Sequence, residues 1–190
     1  MIIDKSTIYF GYGSNLWKQQ MRQRCPTSEY LGIARLNSYR WIINERGYAN
    51  VVQIEKNVER SKYCNEVWGL VYSLEKSDEE RLDLNEGVPT AYTKEDLNVD
   101  FWEADNGRTP DTGKKPQRTS MLVYINRKQV SPDKPKTEYI YRMNMGIKDA
   151  LKEGVPEKYV EKVMREFIPE SDGKAAEVVR AQALVFKDER

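Results

Sequence analysis

The feature that most constrains this chain is a short apolar run that leads through a glycine-rich turn into a helix-like segment. Residues 7–12 have the composition of a buried β-strand, Gly11–Ser14 form the turn, and residues 15–24 have a helical pattern. Such a turn directs several backbone N–H groups one way and, with the helix N-terminus, favours an anionic ligand. By spacing alone, an ordinary capped turn is the commoner structure, so both interpretations stay open at this point.

Four further segments predict strands. Residues 28–54, which are rich in Tyr, Ile, Val and Trp and have a turn at 44–47, predict two or three strands, and residues 66–74 predict another. Residues 91–105 and 118–127 predict two more, in a mostly antiparallel sheet.

Three helices are predicted between residues 77 and 167. Ser77 and Glu80 have the spacing of a capping box, which would open a helix of about two turns that Gly87 can close. Two amphipathic helices follow. Their apolar faces are Tyr139, Met143, Ile147, Ala150 and Leu151 in the first, and Tyr159, Val160, Val163, Met164 and Phe167 in the second.

Length and charge bound the class of protein. The 190 residues are enough for a self-sufficient core, and we expect a single domain over 1–190, with a core at about 7–168 and a tail at 169–190 that adds a last helix or strand or stays loose. A net charge of +1 argues against nucleic acid as a partner. No apolar run approaches the roughly 18 residues of a membrane span. We expect a cytoplasmic protein with no membrane partner, and the sequence leaves a homodimer open.

The absence of histidine narrows the chemistry. It removes the usual general base and the usual metal ligand, and Cys25 and Cys64 lack the spacing of a metal site. A glutamate is then the natural candidate base. Glu86 stands on the last turn of the short predicted helix, where the helix dipole and any burial would raise its pKa. From composition alone, one of many surface acids is the commoner interpretation of Glu86.

Several segments carry a family pattern when they are taken together. They are Tyr9–Leu16 with Tyr-Gly-Ser-Asn at its centre, Glu66–Tyr72, Leu84–Val88 with Tyr92 shortly after, and Tyr139 leading into Met145 and Gly146. In order and spacing they resemble the gamma-glutamylcyclotransferases, over about residues 7–165. Residues 32–36 and 47–51 also look like that family's second and third strands. The specific element is the Tyr-Gly-Ser-Asn turn followed about 70 residues later by Glu-Gly-Val.

The resemblance implies an α+β fold, a small mixed, mostly antiparallel β-barrel with flanking helices, whose cavity has the Tyr-Gly-Ser-Asn turn as its floor. It implies Glu86 as the catalytic acid/base and a set of substrate-binding residues, namely Tyr12, Gly13, Ser14, Asn15, Leu16, Tyr92 and Tyr139. The implied partner is a small gamma-glutamyl compound, which is cyclised to 5-oxoproline with release of its amine. Because the substrate's own amine attacks its side-chain carbonyl, no metal and no organic cofactor are expected.

One departure from the family pattern leaves the substrate open. Where a second pocket tyrosine is expected, the best alignment has Met121, with Tyr124 three residues later. Strand side chains alternate between faces, so we expect Tyr124 to reach the pocket only through a bulge. This departure and the polar loops 104–117 and 127–137, which are candidate lids, favour an alternative in which the fold serves a specialised pathway. Its substrate would be a larger gamma-glutamyl or glutathione-derived adduct, or another small metabolite. A non-catalytic binding protein is the second alternative, against which the presence of Glu86 argues.

Overall fold

Seven strands form a barrel and a separate hairpin in the computed structural model, which describes residues 6–55, 62–170 and 183. The barrel strands are β1 (Thr7–Gly11), β2 (Glu29–Asn37), β5 (Glu66–Leu74), β6 (Thr93–Glu103) and β7 (Gln117–Ile125), and the hairpin strands are β3 (Tyr39–Ile43) and β4 (Ala49–Gln53). Around the closed barrel the order is β1, β5, β2, β6, β7. The strands predicted from the sequence are therefore confirmed, with three of them in residues 28–54.

The barrel is mixed in strand direction. Strand β1 pairs with β7 in parallel, where Tyr9 lies opposite Leu122, and the other neighbouring strands are antiparallel. Strand β5 lies between β1 and β2, and all but one of its residues are buried. The predicted α+β fold with a small, mostly antiparallel barrel is confirmed.

In the described ranges 6–55 and 62–170, four α-helices and three short 3₁₀ helices accompany the barrel. The helices are α1 (Lys18–Arg24), α2 (Lys76–Glu86), α3 (Thr137–Lys152) and α4 (Glu157–Lys162), and the 3₁₀ turns are Ser14–Leu16, Lys62–Asn65 and Met164–Glu166. The helix predicted over 15–24 therefore begins later. Trp17, which is almost completely buried, takes an extended backbone conformation between the first 3₁₀ turn and α1.

The capping box predicted for α2 is wrong, but the predicted helix end is confirmed. Glu75 precedes the helix without a side-chain capping hydrogen bond, so Ser77 lies inside its first turn. The helix has eleven residues, about three turns rather than two. Gly87 ends it in the left-handed conformation, at φ 64° and ψ 39°, which glycine adopts without the steric cost of a Cβ atom.

Helix α2 is held to the barrel mainly through polar contacts. Leu82 and Asp78 are its buried residues, and Asp78 accepts a hydrogen bond from Thr27 at 2.6 Å. On the side facing β6, Lys94 pairs with both Glu79 and Asp83. These contacts fix the end of α2, and Glu86 with it, relative to the barrel.

Helix α3 packs against the first 3₁₀ turn. A Cβ atom on Gly146 would lie 2.9 Å from the Cβ of Leu16, so the two backbones approach closely. Leu16 is fully buried in this contact, whereas Leu151, predicted on the apolar face of α3, is 37% exposed. In the part of the chain that the structure describes, no helix combines the length and the apolar character needed to cross a membrane. The helix or strand predicted near residues 175–186 falls outside the described residues, apart from the helical residue 183.

Candidate active site

A cavity of about 330 Å³, including its mouth, lies over the turn that follows β1. Seven of the eight predicted site residues line it, and four residues that were not predicted complete the wall. The predicted ones are Tyr12, Gly13, Ser14, Asn15, Glu86, Tyr92 and Tyr139, and the others are Tyr9, Tyr48, Ala49 and Tyr124. Leu16 is the exception, because it faces the contact with α3 instead.

Gly13 is required by the close approach of two neighbours. A Cβ atom at this position would lie 2.9 Å from the Tyr139 hydroxyl and 3.1 Å from the Cβ of Ala49. The Tyr139 hydroxyl accepts hydrogen bonds from the backbone N–H groups of Ser14, at 3.1 Å, and Ala49, at 3.4 Å. Tyr139 thus joins the turn to the start of β4 across the cavity.

The turn is less of an open cradle than the sequence suggests. The N–H of Ser14 is directed at Tyr139, and the N–H groups of Leu16 and Trp17 close the 3₁₀ turn onto Gly13 and Ser14. Because a regular helix begins only at Lys18, the helix dipole predicted at this turn is displaced from it.

Positive charge lies beneath the turn in the form of a fully buried arginine. Arg142 of α3 donates hydrogen bonds to the Ser14 hydroxyl at 3.1 Å and to Gln20 Oε1 at 3.3 Å. It pairs with Glu138 at 3.0 Å, and its guanidinium lies 4.8 Å from the centre of the Tyr139 ring. A buried guanidinium with this many partners fixes its neighbours and makes the floor of the cavity electropositive.

A second buried arginine contacts the other polar residue of the turn. Arg24, at the end of α1, donates to Asn15 Oδ1 at 3.4 Å, and Gln20 Nε2 donates to the same oxygen at 3.0 Å. Gln20 also donates to the Ser14 hydroxyl at 2.9 Å, so one side chain holds both turn residues. These interactions lock the amide of Asn15 with its Nδ2 group toward the cavity.

Glu86 is the one acid among the described residues that line the cavity. It is the last residue of α2, it is half-buried, and its Oε1 atom accepts a hydrogen bond from Asn15 Nδ2 at 3.3 Å. The same Nδ2 group donates to the Tyr9 hydroxyl at 2.9 Å. Asn15 therefore links the predicted acid/base to the turn that the sequence motif placed about 70 residues earlier.

The tyrosines of the wall differ in what their hydroxyl groups contact. Burial, and then the negative charge of Glu86, raises the pKa of Tyr9 well above its ordinary value. Burial is also the main reason that the pKa of Tyr12 is raised, and electrostatic interactions with Tyr92 and Glu86 raise it further. Tyr12 donates to the carbonyl of Tyr124 at 2.6 Å and Tyr92 to the carbonyl of Ala49 at 2.8 Å. The hydroxyl groups of Tyr9 and Tyr12 therefore keep their protons near neutral pH, close to Glu86, the one carboxylate among the described lining residues.

The expectation about Tyr124 is wrong. The β6–β7 register runs unbroken from Thr93 opposite Ile125 to Phe101 opposite Gln117, so no bulge is present there, yet Tyr124 lines the cavity. Met121 is buried but does not line it. The cavity therefore lies on the face of β7 that carries Tyr124, and its hydroxyl donates to Asp83 of α2 at 2.6 Å.

Tyr9 and Tyr48 were part of the motif segments but were not predicted as site residues, and the buried arginines carried no local sequence signal at all.

The described residues contain no group of three or more His, Cys, Asp or Glu side chains arranged to hold a metal ion. Cys25 is buried. Burial raises the pKa of its thiol to about 12, and the electrostatic interaction with Asp78 is the second largest cause. This thiol is therefore protonated near neutral pH.

The family of this chain follows from comparison with known proteins. The model of the AIG2-like family matches residues 66–163, which is more than half of the chain. The chain therefore belongs to the AIG2-like family, and the resemblance to gamma-glutamylcyclotransferases drawn from its motifs is confirmed at the level of the family.

Individual relatives agree with this assignment. The mouse gamma-glutamylcyclotransferase is 27% identical over 164 residues, which cover 82% of this chain and 76% of the mouse protein. The bovine gamma-glutamylcyclotransferase is 30% identical over 91 residues, 44% of this chain and 46% of the bovine one. Among solved structures, a gamma-glutamyl cyclotransferase superposes with a TM-score of 0.69 at 23% identity, covering 94% of this chain and 98% of the other. The barrel is thus the fold of that structure.

Proposed function

We propose that the chain is a gamma-glutamylcyclotransferase that converts a gamma-glutamyl compound to 5-oxoproline and a free amine, with Glu86 as the acid/base. The observation that carries the proposal is the pairing of Glu86 with Asn15, because it joins the two halves of the sequence motif in one cavity. The electropositive floor beneath Ser14 and Asn15 supports an anionic ligand, such as the α-carboxylate of a glutamyl group.

The reaction needs one group that takes and returns a proton. Glu86 removes a proton from the α-ammonium group of the substrate, and the neutral amine attacks the side-chain carbonyl carbon to form a five-membered ring. The developing oxyanion is stabilised by hydrogen-bond donors of the wall, for which the neutral Tyr9 hydroxyl is suited. Glu86 returns this proton to the leaving nitrogen as the bond to that nitrogen breaks. It then takes the second proton from the ring nitrogen and passes it to the departing amine, which leaves as an ammonium ion. No water is consumed, and holding the substrate bent supplies the proximity.

The small size of the cavity bears on the part of the substrate that it holds. The cavity is narrow and opens to solvent at its mouth. We propose that it takes the glutamyl group, with the amine portion extending beyond the mouth. A large adduct is therefore compatible with the same catalytic cavity, which keeps the specialised-pathway alternative as the second candidate.

Product analysis tests the proposal. The wild-type protein is incubated with gamma-glutamyl amino acids, glutathione and glutathione S-conjugates, and 5-oxoproline, glutamate and free amine are quantified. We expect 5-oxoproline and amine in equal amounts. Release of glutamate would instead show hydrolysis, and no release from any compound would contradict the proposal for this panel. The preferred compound distinguishes a gamma-glutamyl amino acid from a larger adduct.

A further inference from the structure

A second, wider groove lies beside the candidate active site. Its volume is about 1,190 Å³ including its open side, and it is lined by Arg46, Gly87, Val88, Thr90, Ala91, Asn126, Lys128 and Gln129. Gly87 and Val88 belong to the Glu-Gly-Val motif, but the mechanism above uses the side chain of none of these residues. The groove is therefore a separate surface that needs its own explanation.

The groove and the catalytic cavity share a wall. Within the segment 86–92, Glu86 and Tyr92 line the cavity, whereas Gly87, Val88, Thr90 and Ala91 line the groove. Arg46 connects them on the other side, because its guanidinium lies 5.7 Å from the ring centre of Tyr48 and 5.9 Å from that of Tyr92. The groove therefore adjoins the cavity along the segment that follows Glu86.

The charges of the groove have one sign. Arg46 and Lys128 are cationic, and no acid is among the described residues that line it. A third cation, Lys136, does not line the groove, but its Nζ lies 4.9 Å from the ring centre of Tyr48 in the wall of the cavity. A concave surface with cations of this kind attracts an anionic group and binds it with charge-assisted hydrogen bonds.

Both lining cations stand on firmly held backbone. The N–H of Arg46 donates to Asn44 Oδ1 at 3.1 Å, within the tight turn between β3 and β4. The N–H of Lys128 donates to Asn126 Oδ1 at 2.9 Å, and Asn50 Nδ2 in turn donates to the carbonyls of residues 126 and 129. These backbone segments are fixed before a ligand arrives, so less conformational entropy is lost on binding.

We infer that this groove is the subsite for the leaving amine, and that Arg46 and Lys128 select gamma-glutamyl compounds whose amine portion carries an anionic group such as a carboxylate. The inference rests on the proposed function, since it assigns the second half of the same substrate. The two cations are binding residues that set specificity, while the proton transfers stay with Glu86.

Three substrates of similar size but different charge test the inference. They are the gamma-glutamyl derivatives of alanine, alaninamide and 1,4-diaminobutane, whose amine portions are anionic, neutral and cationic. We expect the wild-type kcat/KM for the alanine derivative to exceed that for the alaninamide derivative roughly tenfold, and the diaminobutane derivative to be poorest. In Arg46→Gln and Lys128→Gln that ratio should fall toward one, and Lys128→Glu should favour the diaminobutane derivative relative to wild type.

The ratio of two substrates on one protein is insensitive to partial misfolding, and Lys128 is exposed, so its variants are expected to fold. Lys152→Gln, an exposed lysine of α3 that lines neither the cavity nor the groove, is the matched control and should keep the wild-type ratio. Turnover with equal kcat/KM for all three substrates, or ratios unchanged in the Arg46 and Lys128 variants, would overturn the inference alone. No 5-oxoproline from any of the three would overturn the proposed function and this inference with it.

Discussion

At the scale of single residues, the two buried arginines are the feature that gives the turn its chemistry. Arg142 and Arg24 contact Ser14 and Asn15 from below, and Gln20 joins the two turn residues to each other. This positive charge would stabilise a bound carboxylate equally in the ground state and in the transition state. The arginines are therefore positioning residues that act through the turn, and their loss should weaken binding more than turnover.

We expect Arg142→Met to raise KM for a gamma-glutamyl substrate roughly tenfold with a smaller change in kcat. Arg142→Lys, which keeps the charge but loses the planar fork, should give an intermediate KM. Steady-state kinetics measure both constants, and Arg22→Met on the exposed side of α1 serves as the control. A variant that loses kcat at unchanged KM would contradict a role in binding.

Gly13 makes a prediction about packing. A methyl group at this position would lie within 2.9 Å of the Tyr139 hydroxyl, so Gly13→Ala must displace Tyr139 or the turn. We expect a loss of about 1–3 kcal/mol in the free energy of unfolding, together with a fall in kcat/KM. Urea unfolding and kinetics test this, with Gly113→Ala in the loop before β7 as the control, since its Cβ would meet only the Asp111 carboxylate. Wild-type stability in Gly13→Ala would show that the turn is not tightly packed.

Which site residues the sequence reveals depends on how local their signal is. The turn residues and Glu86 stand in contiguous motifs, and the structure brings all of them except Leu16 to one cavity. Arginine is usually exposed, so nothing in the sequence around Arg24 or Arg142 indicates burial, which arises only when α1 and α3 meet the turn. Alternation along β7 distinguishes the faces of Met121 and Tyr124, but it does not tell which face carries the cavity.

At the scale of elements, helix α2 carries Glu86 and is positioned by polar contacts at its C-terminal half. Asp83 accepts a hydrogen bond from Tyr124 at 2.6 Å and pairs with Lys94 at 3.1 Å, one helical turn before Glu86. Few apolar contacts hold this helix, because Leu82 is its only buried apolar side chain among the described residues. Loss of the Asp83 contacts should therefore move the carboxylate of Glu86.

We expect Asp83→Ala to lower kcat roughly tenfold, because small displacements of an acid/base are costly to proton transfer. Leu84→Ala is the matched control, since Leu84 is the next residue of α2 and is 73% exposed. Its kcat should equal that of the wild type. Equal kcat in Asp83→Ala and Leu84→Ala would contradict the view that Asp83 positions the helix end.

Element boundaries follow the sequence where a local signal sets them and depart from it where packing decides. Strand β5 has the predicted bounds, and Gly87 ends α2 as its conformational freedom suggests. The first helix begins late because Trp17 is drawn into the core against Tyr141, with ring centres 5.9 Å apart, and leaves the helical conformation. The spacing of residues along the sequence does not predict that tertiary contact.

At the scale of the whole molecule, several carboxylates on the barrel surface couple stability to pH. The hydrogen bond from Arg127, acting against partial burial, holds the pKa of Glu95 below its ordinary value. Burial raises the pKa of Asp100 and of Glu79, but hydrogen bonds to Asp100 from Arg35 and Asn37, and to Glu79 from Lys94 and Thr7, outweigh it and lower both values. These groups stabilise the folded state when ionised.

We therefore expect the free energy of unfolding to fall as the pH drops. For a group whose pKa is lower in the folded state, the stabilisation is present above the unfolded pKa of about 4 and is lost as the pH falls through the folded value. Urea midpoints at pH 7, 5, 4 and 3 should be close at the first two and decline below. In Arg127→Gln the decline should be shallower, because the pKa of Glu95 is no longer lowered. Stability that increases from pH 5 to pH 3 would contradict this coupling.

The architecture of the whole molecule was accessible from the sequence through its motifs rather than through periodicity. Alternation indicated strands, but the closure of five of them into a barrel depends on the parallel pairing of β1 with β7, which joins residues 113 positions apart at Tyr9 and Leu122. That contact has no local signal. The closed barrel was expected only because the resemblance to the gamma-glutamylcyclotransferases implied it.

The most direct test of the account is the turnover of Glu86→Gln under single-turnover conditions, with substrate binding measured alongside by calorimetry. The account predicts that formation of 5-oxoproline falls by at least about 10²-fold while binding is retained, because the amide keeps the shape of the side chain but cannot transfer the proton. Glu80→Gln, an exposed acid on the same helix, should behave as the wild type. Wild-type turnover in Glu86→Gln would contradict the central claim.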